Sequence, residues 1–184
     1  MAKIGLNSFR YSVLTEGTDG TPSYAGATTP AKAVACSVEV TRNEAKLYAD
    51  DVLAESDSGF AGGTCTITVD NADQTMLAAL LGNSVDTTSQ AMTRNADDAA
   101  PWVGFGRIVT MMVNGAYKYR VEFLYKVKFG EPNQENNTKG ESMEFATTEL
   151  EGTIAALANG DWSITKTFDT KAAALTYLEG LMAA

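Results

Sequence analysis

Histidine is absent from this 184-residue chain. Its absence removes the side chain that most often acts as a general base near neutral pH, and with it the His-dependent triads and most zinc sites. Neither a G-x-S-x-G elbow nor a glycine–lysine phosphate loop occurs. Basic residues are scarce, 14 Lys and Arg against 23 Asp and Glu, for a net charge of −9. That balance argues against a basic groove for nucleic acid and against adhesion to an anionic membrane. No apolar run approaches the ~20 residues of a membrane helix, and the opening MAKIGLNSFRYS lacks the apolar core of a secretory signal. Cysteine is used twice, at Cys36 and Cys65, each on the apolar parity of a strand-like segment. Both are expected as small reduced core residues rather than a disulfide or a metal pair. The acidic group Asp50, Asp51, Glu55 and Asp57 lacks the ligand order and glycine of a calcium loop. No enzyme activity, metal or cofactor is expected.

What the chain does contain is alternation. Hydrophobic residues make up 45% and charged residues 20%, enough for one folded domain over residues 1–184. Period-two segments run over Ile4–Val13, Lys32–Val40, Thr64–Val69, Trp102–Val113, Tyr117–Phe129, Met143–Ile154 and Trp162–Phe168. With turn signals between them they predict a mainly β fold, an antiparallel sandwich or barrel. Asn71–Leu81, with an Asn cap, and Asp169–Met182 read as one or two flanking α-helices. Residues 1–31 are expected as an extended N-terminal arm. Thr15–Ala31, Ser84–Pro101 and Gly130–Ser142 read as polar loops.

The sharpest local feature is YKYRVEFLYKVKF, where Tyr117, Tyr119, Val121, Phe123, Tyr125, Val127 and Phe129 are apolar and only Leu124 breaks the alternation. Before it, Val113-Asn114-Gly115-Ala116 predicts a two-residue type I′ hairpin. Such a turn fixes the register so that paired residue numbers sum to 229. Arg107 then faces Glu122, while Gly104 and Gly106 lie opposite Tyr125 and Phe123. The other face of this ribbon also carries large apolar groups. A partner is therefore expected over it, and Phe105, Met111 and Leu124 become candidates for a seam between subunits. Asn43–Phe60 is acidic yet keeps Leu47, Tyr48, Val52, Leu53 and Phe60. It is expected to protrude and bury those groups against a neighbour.

Three stretches together resemble the major tail protein family of siphophages and Gram-positive prophages. They are KAVACSVEVTRNEAKLYADDVLAESDSGF, WVGFGRIVTMMVNGAYKYRVEFLYKVKFGEPNQENNTKGESMEF and NGDWSITKTFDTKAAALTYLEGL. The resemblance implies a tail tube subunit, a β-sandwich with a flanking helix. Its hexameric rings stack into a hollow tube through which phage DNA passes, and the subunit is implied to lie in the host cytoplasm before assembly and in the virion tail afterwards. Implied partners are further copies of the chain, a tape measure protein, tail-end proteins and the passing DNA, with no membrane. No catalytic residues are implied. A monomeric sandwich that binds a ligand, of adhesin or carbohydrate-binding type, is the alternative, and it would use Trp102 or Trp162 as an exposed platform.

Two physical points agree with an assembly. A thirteen-residue strand spans roughly 43 Å, about the ~40 Å diameter expected for a compact chain of this size. A negative bore would also repel DNA phosphates and let the genome slide. Glu144, Glu149 and Glu151 are the lumen candidates.

Overall fold

The structure, a computed structural model, describes residues 2–17, 20–49, 52–86, 88–132 and 147–183, with the backbone alone at 45, 47–49 and 52–57. Its strands are β1 (Ala2–Glu16), β2 (Pro22–Tyr24), β3 (Ala33–Ala49), β4 (Val52–Val69), β5 (Ser84–Val85), β6 (Met92–Thr93), β7 (Val103–Val113), β8 (Ala116–Phe129), β9 (Thr148–Ile154) and β10 (Ser163–Phe168). Two helices, α1 (Gln74–Leu81) and α2 (Lys171–Leu181), complete the described chain. Every strand pairing is antiparallel.

One sheet runs in the order β2-β1-β7-β8-β9-β4-β3, with β10 also on β8 and a separate β5-β6 pair. Strand β8 changes partner along one edge. Its Tyr119–Leu124 stretch bonds to β10, and Val127–Phe129 bonds to β9. That exchange lets the β9-β4-β3 leaf fold across the β1-β7-β8 leaf in a sandwich-like arrangement. The main core mixes both leaves: Cys65, Ile67, Val69, Leu150 and Ile154 meet Phe9, Phe105, Val127 and Phe129. Helix α1 adds Met76, Leu77, Leu80 and Leu81. A second core lies on the opposite face of β7 and β8, where Ile108, Val121 and Phe123 pack under Ala174 and Leu178 of α2.

The β7–β8 hairpin has the expected turn, with Asn114 at φ 49 and Gly115 at φ 79. Register holds at the sum of 229 from Val113↔Ala116 to Phe105↔Leu124, then steps to Val103↔Val127. The step gives β8 one residue more than β7, a bulge that reverses which face each parity serves. Val121 and Phe123 therefore point toward α2, whereas Val127 and Phe129 point into the sandwich. Leu124, the break in the alternation, fills the sandwich side ahead of the bulge.

This corrects the ribbon expected to need a neighbour. Both of its faces are covered by its own chain, and Phe105 (1%), Met111 (2%) and Leu124 (7%) are buried. They are core residues of the single subunit, not a seam. Exposed apolar groups on this hairpin are confined to its tip, at Met112 and Tyr117 beside Ile4 of β1. Gly106 faces Phe123 as expected, but the bulge takes Gly104 away from Tyr125. A Cβ at Gly104 would sit 2.5 Å from the Tyr24 ring and 2.7 Å from that of Phe123.

The described part of the expected N-terminal arm, residues 2–17 and 20–31, is not extended away from the body. Strand β1 is paired along β7, and β2 returns against β1. There Tyr24 is buried and its hydroxyl donates to the Tyr125 carbonyl at 2.9 Å. Both helices start later than expected because another residue caps them. Asp73, not Asn71, accepts from the Met76 N–H at 2.7 Å, and Thr170, not Asp169, accepts from the Ala173 N–H. Expectations placed on Asp50, Asp51, Met143 and Glu144 lie outside the described residues.

Candidate assembly surface

The longest strand pair is β3–β4, paired from Ala33↔Val69 to Ala49↔Val52 with register shifts at Ala33/Ala35, Thr41/Arg42 and Leu47/Tyr48. Strand β9 covers β4 only over Gly63–Val69. Beyond that point no third strand joins the pair among the described residues. From Arg42 to Ala49 the ribbon continues for about 27 Å at the usual rise per residue. Residues 43–49 and 52–59 thus protrude as a two-stranded arm.

Of the residues expected to make its contacts, Leu47, Tyr48, Val52 and Leu53 lie on the outer part of the ribbon, in the register Leu47↔Glu55, Tyr48↔Leu53 and Ala49↔Val52. Phe60 has a different place. Its ring stacks on Trp162 at 5.0 Å and 9°, partly buried against the sandwich core. It anchors the foot of the arm to the body instead of reaching a neighbour.

Strand β3 ends the sheet order, so its outer backbone edge has no strand partner among the described residues. Val34 (51%) and Val40 (39%) are exposed on that strand. An edge of this length, partly apolar, is the kind that other strands add to.

The outward face of the β9-β4-β3 leaf is acidic. Register places Glu39 opposite Thr64, Glu151 opposite Thr66 and Glu149 opposite Thr68. The three carboxylates are exposed, whereas Leu150 and Ile154 point into the core. Residues 33–40, 63–69 and 148–154 contain no Lys or Arg. Glu149 and Glu151 also border an open depression of about 510 Å³ with Lys128 and Glu131. Glu144 lies outside the described residues.

Several cations are held by carboxylates of the same chain. Lys118 pairs with Asp169, Arg120 with Glu122 at 2.9 Å, Lys126 with Glu16 at 2.5 Å, and Arg10 with Glu179 at 3.3 Å. The Lys126 ammonium, followed by the Ala158 N–H, holds the Glu16 carboxyl below its ordinary range. Arg107 faces Glu122 at 2.6 Å, as the hairpin register requires.

Neither tryptophan forms an open platform. Trp162 lies against Phe60, and Trp102, partly buried against the second core, has the Lys126 and Lys128 ammonium groups over its ring at 5.2 and 5.8 Å. The projecting arm could be read from apolar content without internal cover. Glu149 and Glu151 could also be read as neighbours on one strand face, but that Glu39 joins them could not, because it comes from β3, far away in sequence. Compared with protein-family models and with curated proteins, the chain matches none.

Proposed function

We propose that this protein is a structural subunit completed by copies of itself, forming rings that stack into a hollow tube of the phage tail type. The observation that carries the reading is the β3–β4 arm. A two-stranded ribbon extending about 27 Å past its last sheet partner is marginal in water without something to pack on. The open β3 edge supplies backbone donors and acceptors for a neighbouring strand. A contact between two different surfaces of one chain repeats from copy to copy and closes a ring or extends a filament.

The acidic β9-β4-β3 face is the wall proposed for the bore, with Glu149 and Glu151 in it and DNA as the polymer that passes. Its excess of carboxylates and threonine hydroxyls over the single Lys128 at its margin would offer phosphates little counterion-releasing contact. Of the cations that would spoil such a wall, Lys118, Arg120 and Lys126 are paired with carboxylates of the same subunit, and Lys128 lies over the Trp102 ring at the wall's margin. Tape measure and tail-end proteins are the further partners this reading implies. The ligand-binding alternative loses its support, since Trp102 and Trp162 are both occupied by neighbours within the chain.

The test is sedimentation velocity over a range of concentrations, on the full chain and on a variant in which residues 43–59 are replaced by Asn-Gly, which keeps Phe60 on the body. The full chain should sediment as rings or larger species, and the armless variant as a folded monomer. Equal assembly by both proteins would refute the arm's role.

A further inference from the structure

The two cysteines, 29 positions apart in sequence, come together near the foot of the arm. Register places Cys36 opposite Ile67 and Val38 opposite Cys65, so the thiols share one face of β3–β4 on a diagonal, with the pair Ser37↔Thr66 between them. Cys65 is fully buried and Cys36 half-buried. A third group arrives from the facing leaf. Arg107 of β7 donates through Nη1 to Cys36 Sγ while its Nε and Nη2 are held by Glu122 at 2.8 and 2.6 Å. A cavity of about 180 Å³, lined by Arg107, Glu122, Phe105, Leu124, Trp162 and Thr165, lies against the same guanidinium.

Packing alone does not account for this arrangement. Two small sulfur side chains could fill a core without a guanidinium aimed at one of them. A fixed cation beside a sulfur is what stabilises a thiolate. The neighbouring Cys65 thiol, and then Arg107, draw the Cys36 thiol down to about 7 against the opposing effects of burial and of Glu122. The Cys36 sulfur and burial push Cys65 up. The pair is therefore asymmetric, with an attacking sulfur and a protonated reserve.

We propose that Cys36 and Cys65 form a dithiol that low-molecular-weight disulfides oxidise reversibly to an internal Cys36–Cys65 bond. In the first step the Cys36 thiolate attacks one sulfur of the small disulfide. The Cys36–sulfur bond forms, the small disulfide bond breaks, and one small thiolate leaves. In the second step Cys65 gives up its proton and attacks Cys36 Sγ, expelling the second small thiolate. Two protein thiols are oxidised and one small disulfide is reduced to two thiols. The product ties β3 to β4 where the arm leaves the body, and it takes from Arg107 the anion it had faced.

The probe is oxidised glutathione, applied to the reduced full-length protein and followed by intact mass and non-reducing peptide mapping. The expected product has lost two hydrogens, carries a Cys36–Cys65 cross-linked peptide, and returns to the dithiol with reduced glutathione. Cys65→Ala should stop at a glutathione adduct on Cys36, and Cys36→Ala should stay unmodified. In the Cys65→Ala background, Arg107→Gln should slow adduct formation ~3–10-fold near neutral pH. The wild-type measurement decides the matter whatever the variants' stability. Persistent free thiols, a stable adduct without the internal bond, or a bond that forms only in denaturant would each overturn the proposal.

Discussion

At the scale of single residues, the fold depends on positions where a side chain is missing. Gly104 gives its place to the Tyr24 and Phe123 rings, which themselves meet edge to face at 5.6 Å. Rings yield less readily than a flexible chain end. Gly104→Ala should therefore destabilise the protein by ~1–3 kcal/mol, as overpacked cores do, read by chemical denaturation. Glu16 supplies a second test. Its folded pKa lies below the usual 4.5, because Lys126 and the Ala158 N–H both favour the carboxylate. A depressed acid contributes stability that is present above its unfolded pKa and drains away as pH falls through the lower folded value. Glu16→Gln should lower the melting temperature at neutral pH, and the difference from wild type should shrink from roughly pH 5 downward. An undiminished difference in acid would contradict the assignment. Gly106 opposite Phe123 was legible in the sequence because a two-residue turn leaves one register. The neighbours of Gly104 were not, because Tyr24 reaches it from a strand with which it shares no local pattern.

Elements differ in how much of them local chemistry decides. The β7–β8 turn and the helix ending at Leu81 were both readable, since each rests on residues adjacent in sequence or one turn apart. The β8 bulge was hidden. Its apolar parity continues unbroken from Tyr117 to Phe129, yet the extra residue sends the two halves into different cores. Only Leu124 marked the change, as an apolar residue on the wrong parity. Continuous alternation therefore looked like a single greasy face that awaited a neighbour. Helix α2 is what fills that place, through Ala174, Leu178 and Met182, all fully buried. Leu178→Ala should cost ~2–5 kcal/mol, the range for a large core truncation. A value under ~0.5 kcal/mol, typical of surface sites, would mean that α2 is a loose appendage and that the second face of the ribbon is available after all.

On the scale of the whole molecule, the case for assembly rests on the arm, the β3 edge and the acidic leaf. The sequence pointed to the arm through its apolar residues in an acidic stretch. It gave no sign that Phe60 belongs to the body, nor that the carboxylates of β3 and β9 share a face, since only strand pairing joins them. The arm's apolar residues should matter to association and little to folding. Leu47→Asp should leave the melting temperature within a few degrees of wild type and abolish higher-order species in sedimentation. An assembled Leu47→Asp protein would remove that residue from the interface. The most direct measurement is negative-stain electron microscopy of the concentrated full chain, across ionic strengths. Closed rings or hollow tubes with one chain per repeating unit are the predicted result. Isolated particles of single-subunit size in every condition would contradict the account.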